Sequence, residues 1–172
     1  MTISMSSASL PVCKTMLGNL SHCLDKAQAH AQAKGFDAAV LLQYRMAPDM
    51  LPFTKQVQIA CDAAKNGVAR ISGAEAPRFE DNEASFADLK ARIGKTLDFL
   101  ASVPAQTLDG TEDKEITFPV GKDKTRTMKC EAYLKHWMLP NMFFHVTMAY
   151  AILRHNGVEL GKSDYLAGGR AA

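Results

Sequence analysis

No stretch of this chain reaches the ~18 uninterrupted apolar residues that a membrane-spanning helix needs. The nearest, Pro140 to Gly157, is broken by Asn141, His145 and Arg154. Cysteine is sparse and scattered: Cys13, Cys23, Cys61 and Cys130 include no C-x-x-C pair. That argues against a disulfide framework or a zinc ribbon and fits reduced thiols in a cytoplasm. Three of them, Cys13, Cys23 and Cys61, fall on expected core faces, where a thiol is inert. An excess of one charge is also missing, since 20 basic against 18 acidic residues leave +2, too little to imply a nucleic-acid partner. The densest basic cluster, Lys122, Lys124, Arg126 and Lys129, encloses Asp123 and reads as a solvated hairpin without an aromatic platform for bases. The N-terminal "MTISMSSASLPVCKTM" has neither a basic start nor a continuous apolar core, so no secretory signal is expected. No Ser-His-Asp ordering, phosphate-cradling glycine loop or Cys-His pair stands out.

What the chain has is helical periodicity. Its 172 residues, 47% apolar and 22% charged, suit one soluble domain spanning 1–172 that buries about two-thirds of its unfolded surface. Val12, Met16, Leu20, Cys23, Ala27 and Ala31 mark a first helix ending near Lys34-Gly35. Met50, Val57, Cys61, Ala64, Val68 and Ile71 mark a second, with Pro52 in its first turn and Ser72-Gly73 as its stop. Ser85 with Asp88 starts a third, striped by Phe86, Leu89, Ile93, Leu97 and Leu100 and closed by Pro104. The fourth runs from about Glu131 to Asn156-Gly157. Pro140 inside it removes a backbone donor and should kink or break the helix, freeing the carbonyl near His136.

Ahead of the fourth helix, "KEITFPVGKDKTRTMKC" reads as two short strands, Ile116 to Val120 and Thr125 to Cys130, around Gly121 to Lys124. "SGAEAPRFEDNEA" is expected to be an exposed loop. Ala39-Val40-Leu41-Leu42 suggests that the connection after the first helix packs over the bundle. The expected architecture is all-α, a four-helix bundle with a short β-hairpin inserted before the last helix. That helix has two apolar stripes about 90° apart: Leu134, Asn141, His145, Met148 and Ile152 on one, Met142, Val146, Ala149 and Leu153 on the other. A second stripe calls for a second partner, either the crossover segment or another subunit, and a two-fold homodimer is the favoured expectation.

Two segments carry a resemblance. "DMLPFTKQVQIACDAAKNGVARISG" and "HWMLPNMFFHVTMAYAILRHNGVELGKSDYL", with the hairpin between them, make the chain similar to an uncharacterised bacterial branch of the DinB-like (YfiT-like) superfamily, known as a domain of unknown function. The resemblance implies a usually dimeric helical bundle related to metalloenzymes. In better-known members three histidines hold a divalent metal, one from helix two and two from the last helix as H-x-x-x-H. Such members include thiol-dependent transferases, isomerases and hydrolases. Here the matching positions are Gln56 (Gln58 if the register slips by two), Asn141 and His145, which are the candidate metal ligands for Zn, Ni, Fe or Mn. His145 is the best candidate for a catalytic group. The set departs from the family pattern because it has one strong ligand and two neutral carboxamides, whereas zinc sites use His, Cys or carboxylate. The other reading of the same residues is a neutral core imidazole hydrogen-bonded to Asn141, Gln56 or a backbone carbonyl.

Tyr133 and Trp137, one turn apart, are candidates to line a cofactor- or ligand-binding cavity, or else to pack as core aromatics. His22 and His30 read as surface histidines. His155 suits the last helical turn. Arg154 and Tyr150 share a side, with Asp62 as a prospective ion-pair partner for Arg154. Asp164 reads as a structural hydrogen-bonding group in a tail folded back on the bundle. Function is thereby reduced to two expectations: a non-catalytic or small-molecule-binding homodimer with a degenerate metal site, or a divalent-metal-dependent hydrolase or thiol-dependent transferase. Neither involves nucleic acid or a membrane.

Overall fold

The computed structural model describes residues 3–169. Helix α1 spans Met5–Lys34 and ends where Gly35 takes a left-handed conformation (φ 74°), which a residue with a Cβ adopts only under strain. A 3₁₀ turn, Ala38–Gln43, leads into the crossover and buries Leu41 and Leu42. Helix α2 covers Phe53–Ser72 with Pro52 as its N-cap, so the helix starts three residues after Met50. Helix α3 covers Phe86–Ser102; the Ser85 hydroxyl caps it by accepting from the Asp88 N–H, as the Ser85/Asp88 pair leads one to expect.

Strands β1 (Glu115–Pro119) and β2 (Thr125–Lys129) pair antiparallel, with Glu115 opposite Lys129 and Pro119 opposite Thr125. Ile116 and Phe118 point inward. The final helix is continuous but not uniform. It opens as α4 (Cys130–Tyr133), passes through a π-helical stretch, Leu134–Met138, and proceeds as α5 (Leu139–His155). The expected disruption at Pro140 is therefore taken up upstream. An i→i+5 stretch widens the helix by one residue just before the proline, and the chain keeps helical dihedrals at Met138 and Leu139. A short helix α6 (Lys162–Ala167) follows.

The most extensive helix pairing is α2 on α5, and α1 packs on α2, α3, α5 and α6. One hydrophobic cluster, running from Met5 to Leu160, joins all these elements. The stripe Met142, Val146, Ala149 and Leu153 is wholly buried inside it, and Leu134 and Ile152 of the other stripe are buried as well. The first face is thus covered by this chain and the second in part, with Asn141 and Met148 half-buried, so the two-stripe pattern does not by itself require a second copy. All four cysteines are free and buried. Burial pushes the thiols of Cys13 and Cys61 up to about 12 and that of Cys23 to about 11, which makes them poor nucleophiles. No helix among the described residues is long and apolar enough to cross a membrane.

Candidate functional site

The first turns of α2 lie under the crossover, where the Phe53 N–H donates to the Tyr44 carbonyl (2.8 Å) and the Thr54 hydroxyl to the Leu42 carbonyl (3.0 Å). This pins Leu51 one turn ahead of Gln56, whose Nε2 donates to the Leu51 carbonyl at 2.9 Å. A carbonyl only accepts, so the other end of that carboxamide is its oxygen. Gln56 Oε1 lies 2.7 Å from His145 Nδ1, and His145 Nδ1 must therefore carry the proton. The neutral ring then has its lone pair on Nε2.

His145 is 9% exposed, and burial lowers its pKa below the ordinary 6.5, which favours the neutral ring. Its Nε2 has no partner among the described residues. It is also not sealed, because Gln58 Oε1 and Arg92 Nε are the only fully enclosed side-chain polar atoms there without a partner. The Phe144 and His145 rings stand perpendicular to each other (centroids 5.2 Å, planes at 90°).

Of the candidate residues, the structure brings Gln56 and His145 together. Asn141, one turn before His145, is half-buried, and its carboxamide makes no hydrogen bond among the described residues. Gln58 is turned elsewhere: its Nε2 donates to Glu83 Oε2 at 2.6 Å, so Gln56 is the residue in register with the imidazole. Tyr133 and Trp137 pack on Phe118 of the hairpin (4.8 and 5.3 Å between centroids). Tyr133 Oη accepts from Arg70 (2.9 Å), and the Arg126 guanidinium lies over Trp137 (5.5 Å), an aromatic partner the hairpin's basic cluster was not expected to have. The helical rise puts Tyr133 ~18 Å from His145, so these rings are part of the hairpin's anchorage. Among the described residues no three His, Cys, Asp or Glu side chains are grouped to hold a metal ion.

The expected exposed loop before α3 turns out to be tied down. Arg92, 3% exposed, reaches Glu83 (2.8 Å), Asp62 (3.0 Å), Asp81 (3.1 Å) and the Glu80 carbonyl (3.2 Å). Lys65 holds Asp62 (3.2 Å) and the Pro77 carbonyl (2.8 Å), and both cations sit over the Phe79 ring. Asp62 is thereby committed, and Arg154 donates to the Val158 carbonyl instead (3.4 Å). Burial alone would raise the Glu83 carboxyl, but Arg92 and Gln58 outweigh it and hold the pKa down. Sequence periodicity misses this cluster because Arg and Lys on a helix read as solvent-facing. A second tie joins the tail to α1 and gives Asp164 the structural role expected of it: His22 Nε2 and Lys26 Nζ meet Asp164 at 2.8 and 3.0 Å, so His22, expected only as a surface histidine, is a partner of the tail.

Comparison with known proteins agrees with this architecture. Among curated proteins none matches the chain. A crystal structure of a DinB family member protein from Shewanella denitrificans superposes with a TM-score of 0.87 at 38% identity, covering 97% of this chain and 94% of that one. The sequence model of the family described as "Domain of unknown function (DUF1993)" matches residues 5–166. The chain belongs to the DUF1993 family, an uncharacterised branch of the DinB-like helical bundles.

Proposed function

We propose that this protein is a small-molecule-binding DinB-like bundle whose polar centre, Gln56 and His145, works without a metal ion and without covalent chemistry. The observation that carries this reading is the double engagement of Gln56, whose Nε2 is used on Leu51 and whose Oε1 is used on His145 Nδ1. A divalent ion fits such a set poorly. To become a ligand Gln56 would have to turn the Oε1 that now holds His145 Nδ1 to the ion, Asn141 offers a weak neutral oxygen, and one imidazole nitrogen remains. In this arrangement Gln56 orients the ring and sets its tautomer, the part an outer partner plays toward a histidine ligand. What the site then offers is one directed hydrogen-bond acceptor.

The test is metal analysis of purified protein equilibrated with Zn, Ni, Fe or Mn, combined with long-range proton–nitrogen spectra of the His145 ring. The expected result is no stoichiometric uptake and a neutral ring protonated on Nδ1. Uptake near one ion per chain that His145→Ala abolishes, with helical circular dichroism intact, would instead favour the metal-dependent hydrolase or thiol-dependent transferase. A homodimer belongs to the same proposal. The surface best suited to it is the apolar groove of about 670 Å³ lined by Pro11, Val12, Met16, Phe143, Tyr165 and Leu166. Sedimentation at micromolar concentration tests it, with a monomer as the contrary outcome.

A further inference from the structure

Five of the seven large hydrophobic side chains exposed among the described residues fall on one short crossover and one neighbouring position: Val40, Tyr44, Met46, Leu51 and Phe144. Two of them adjoin His145 directly or through one residue, and Tyr44 belongs to the same crossover. Leu51 is bonded to Gln56 through its carbonyl, Tyr44 to Phe53 through its own, and the Phe144 ring stands perpendicular to the imidazole. Tyr44, Met46, Leu51 and Phe144 are each between 43% and 50% exposed, while the His145 ring beside Phe144 is nine-tenths buried and carries an unpartnered Nε2. An unpartnered acceptor that is not fully enclosed, beside exposed apolar side chains, is a recognisable ligand chemistry. Binding sites are mostly hydrophobic surface with a few placed polar groups.

We infer that this site binds a flat apolar molecule bearing one O–H or N–H donor, a phenol-like compound, with the donor on His145 Nε2 and its body on Phe144 and the Tyr44–Leu51 segment. This rests on the reading of His145 as a neutral Nδ1–H ring. Such a ring cannot donate through Nε2, so a carboxylate or phosphate finds no donor on the imidazole. A cation finds no carboxylate bonded to the imidazole, since none of the crossover's charges, Asp37, Arg45 and Asp49, pairs with His145, and Asp37 is used on the Ala39 N–H. A neutral donor on an apolar body satisfies both features at once. The larger hollows lack the combination. The groove over α1 and α6 is apolar with no orphaned acceptor, and the charged hollow of about 480 Å³ beside Arg92 has its Glu83 and Asp88 carboxylates already bonded.

The experiment compares phenol with anisole, which has nearly the same shape and no donor, by chemical-shift titration of the intact protein. The expected result is phenol binding about 3- to 10-fold tighter than anisole, the range of one net hydrogen bond, with phenol moving the His145 Nε2 resonance and the Phe144 ring protons. In His145→Phe the two should bind equally. Phe144→Ala should weaken both probes together, a second readout if the histidine variant does not fold. Equal binding of the two probes by the wild-type protein, or binding of neither at tens of millimolar, overturns the inference while leaving the Nδ1–H reading intact. A ring protonated on Nε2 overturns both.

Discussion

Gly67 of α2 faces Met138 at the end of the π-helical stretch so closely that a Cβ on Gly67 would lie 2.5 Å from Met138 Cγ and Sδ. Real Cβ atoms do not approach carbon or sulfur so near, and Met138 is itself buried. The contact is where the widened turn ahead of Pro140 presses into its neighbour. A glycine is therefore what lets α2 accept the bulge that keeps the last helix continuous.

Gly67→Ala should then destabilise the protein by about 1–3 kcal/mol, as overpacking of a filled core does, although alanine is the better helix former. Met138→Ala alone should cost about 2–5 kcal/mol from the space it leaves. The pair should cost clearly less than the sum, because each change relieves the other. Denaturant midpoints of the four proteins check this, and strict additivity would mean that the helices move apart freely at this point.

The hydrogen bond from His145 to Gln56 makes a prediction with a sign. Because burial depresses the imidazole pKa, the unfolded chain takes up a proton near pH 6.5 that the folded one refuses. Stability should be flat above that value and fall as pH drops below it, towards the lower folded pKa. His145→Phe should remove this component, so the stability difference between variant and wild type should change between about pH 7.5 and 5.5. Gln56→Ala should cost about 1–3 kcal/mol, since it orphans both the Leu51 carbonyl and the ring N–H. Urea unfolding at the two pH values measures both, and a pH-independent difference for His145→Phe would count against a depressed pKa.

Arg92 serves three carboxylates and a carbonyl from a nearly sealed position. Arg92→Ala should cost about 3 kcal/mol, most of it from carboxylates left without a counter-charge. The segment from Ala74 to Ala84 should then come loose. Trypsin cleavage at the exposed Arg78 is the direct readout, slow in the wild type and faster in the variant while the rest of the chain still resists. Arg92→Lys should rescue only part of this, because an ammonium cannot span acceptors that a planar guanidinium reaches together.

How far these features can be read in the chain depends on what periodicity encodes. Helix bodies, the Ser85 and Gly73 boundaries and the hairpin follow from local chemistry and agree with the structure. The partnership of Gln56 with His145 is foreseeable because both stand at matching positions of a known bundle pattern. The tautomer is not, since it depends on the Leu51 carbonyl, delivered by an irregular crossover. Pro140 announces a disruption without saying that the helix widens ahead of it. The second stripe of α5 shows that the helix is buried on two sides; it does not show that α1 and α2, both in this chain, are what cover it. Arg92 and Lys65 escape notice because long-range charge pairing leaves no spacing signature.

Asp164 ties the tail to the first helix. Its carboxylate meets His22 and Lys26 of α1 and accepts from the Gly161 N–H (2.7 Å), while Asn19 holds the Tyr165 carbonyl (2.9 Å). Gly168 ends α6 with φ 59°, where a Cβ would strike the Asn19 side chain at 2.8 Å. Burial by itself would raise the Asp164 carboxyl, yet Gly161, His22 and Lys26 prevail and hold its pKa down to about 2 from 3.8. A depressed carboxyl contributes stability that is complete above its unfolded value and is lost as pH falls through the folded one. The shift corresponds to about 2 kcal/mol. Asp164→Asn should therefore cost about that much at neutral pH and progressively less as pH approaches 2. Amide hydrogen exchange in α6 should rise in the variant before exchange in α2 does, because the helix is held chiefly by these contacts. If α6 and α2 instead lose protection together, α6 is an integral part of the cooperative core and is not separately latched.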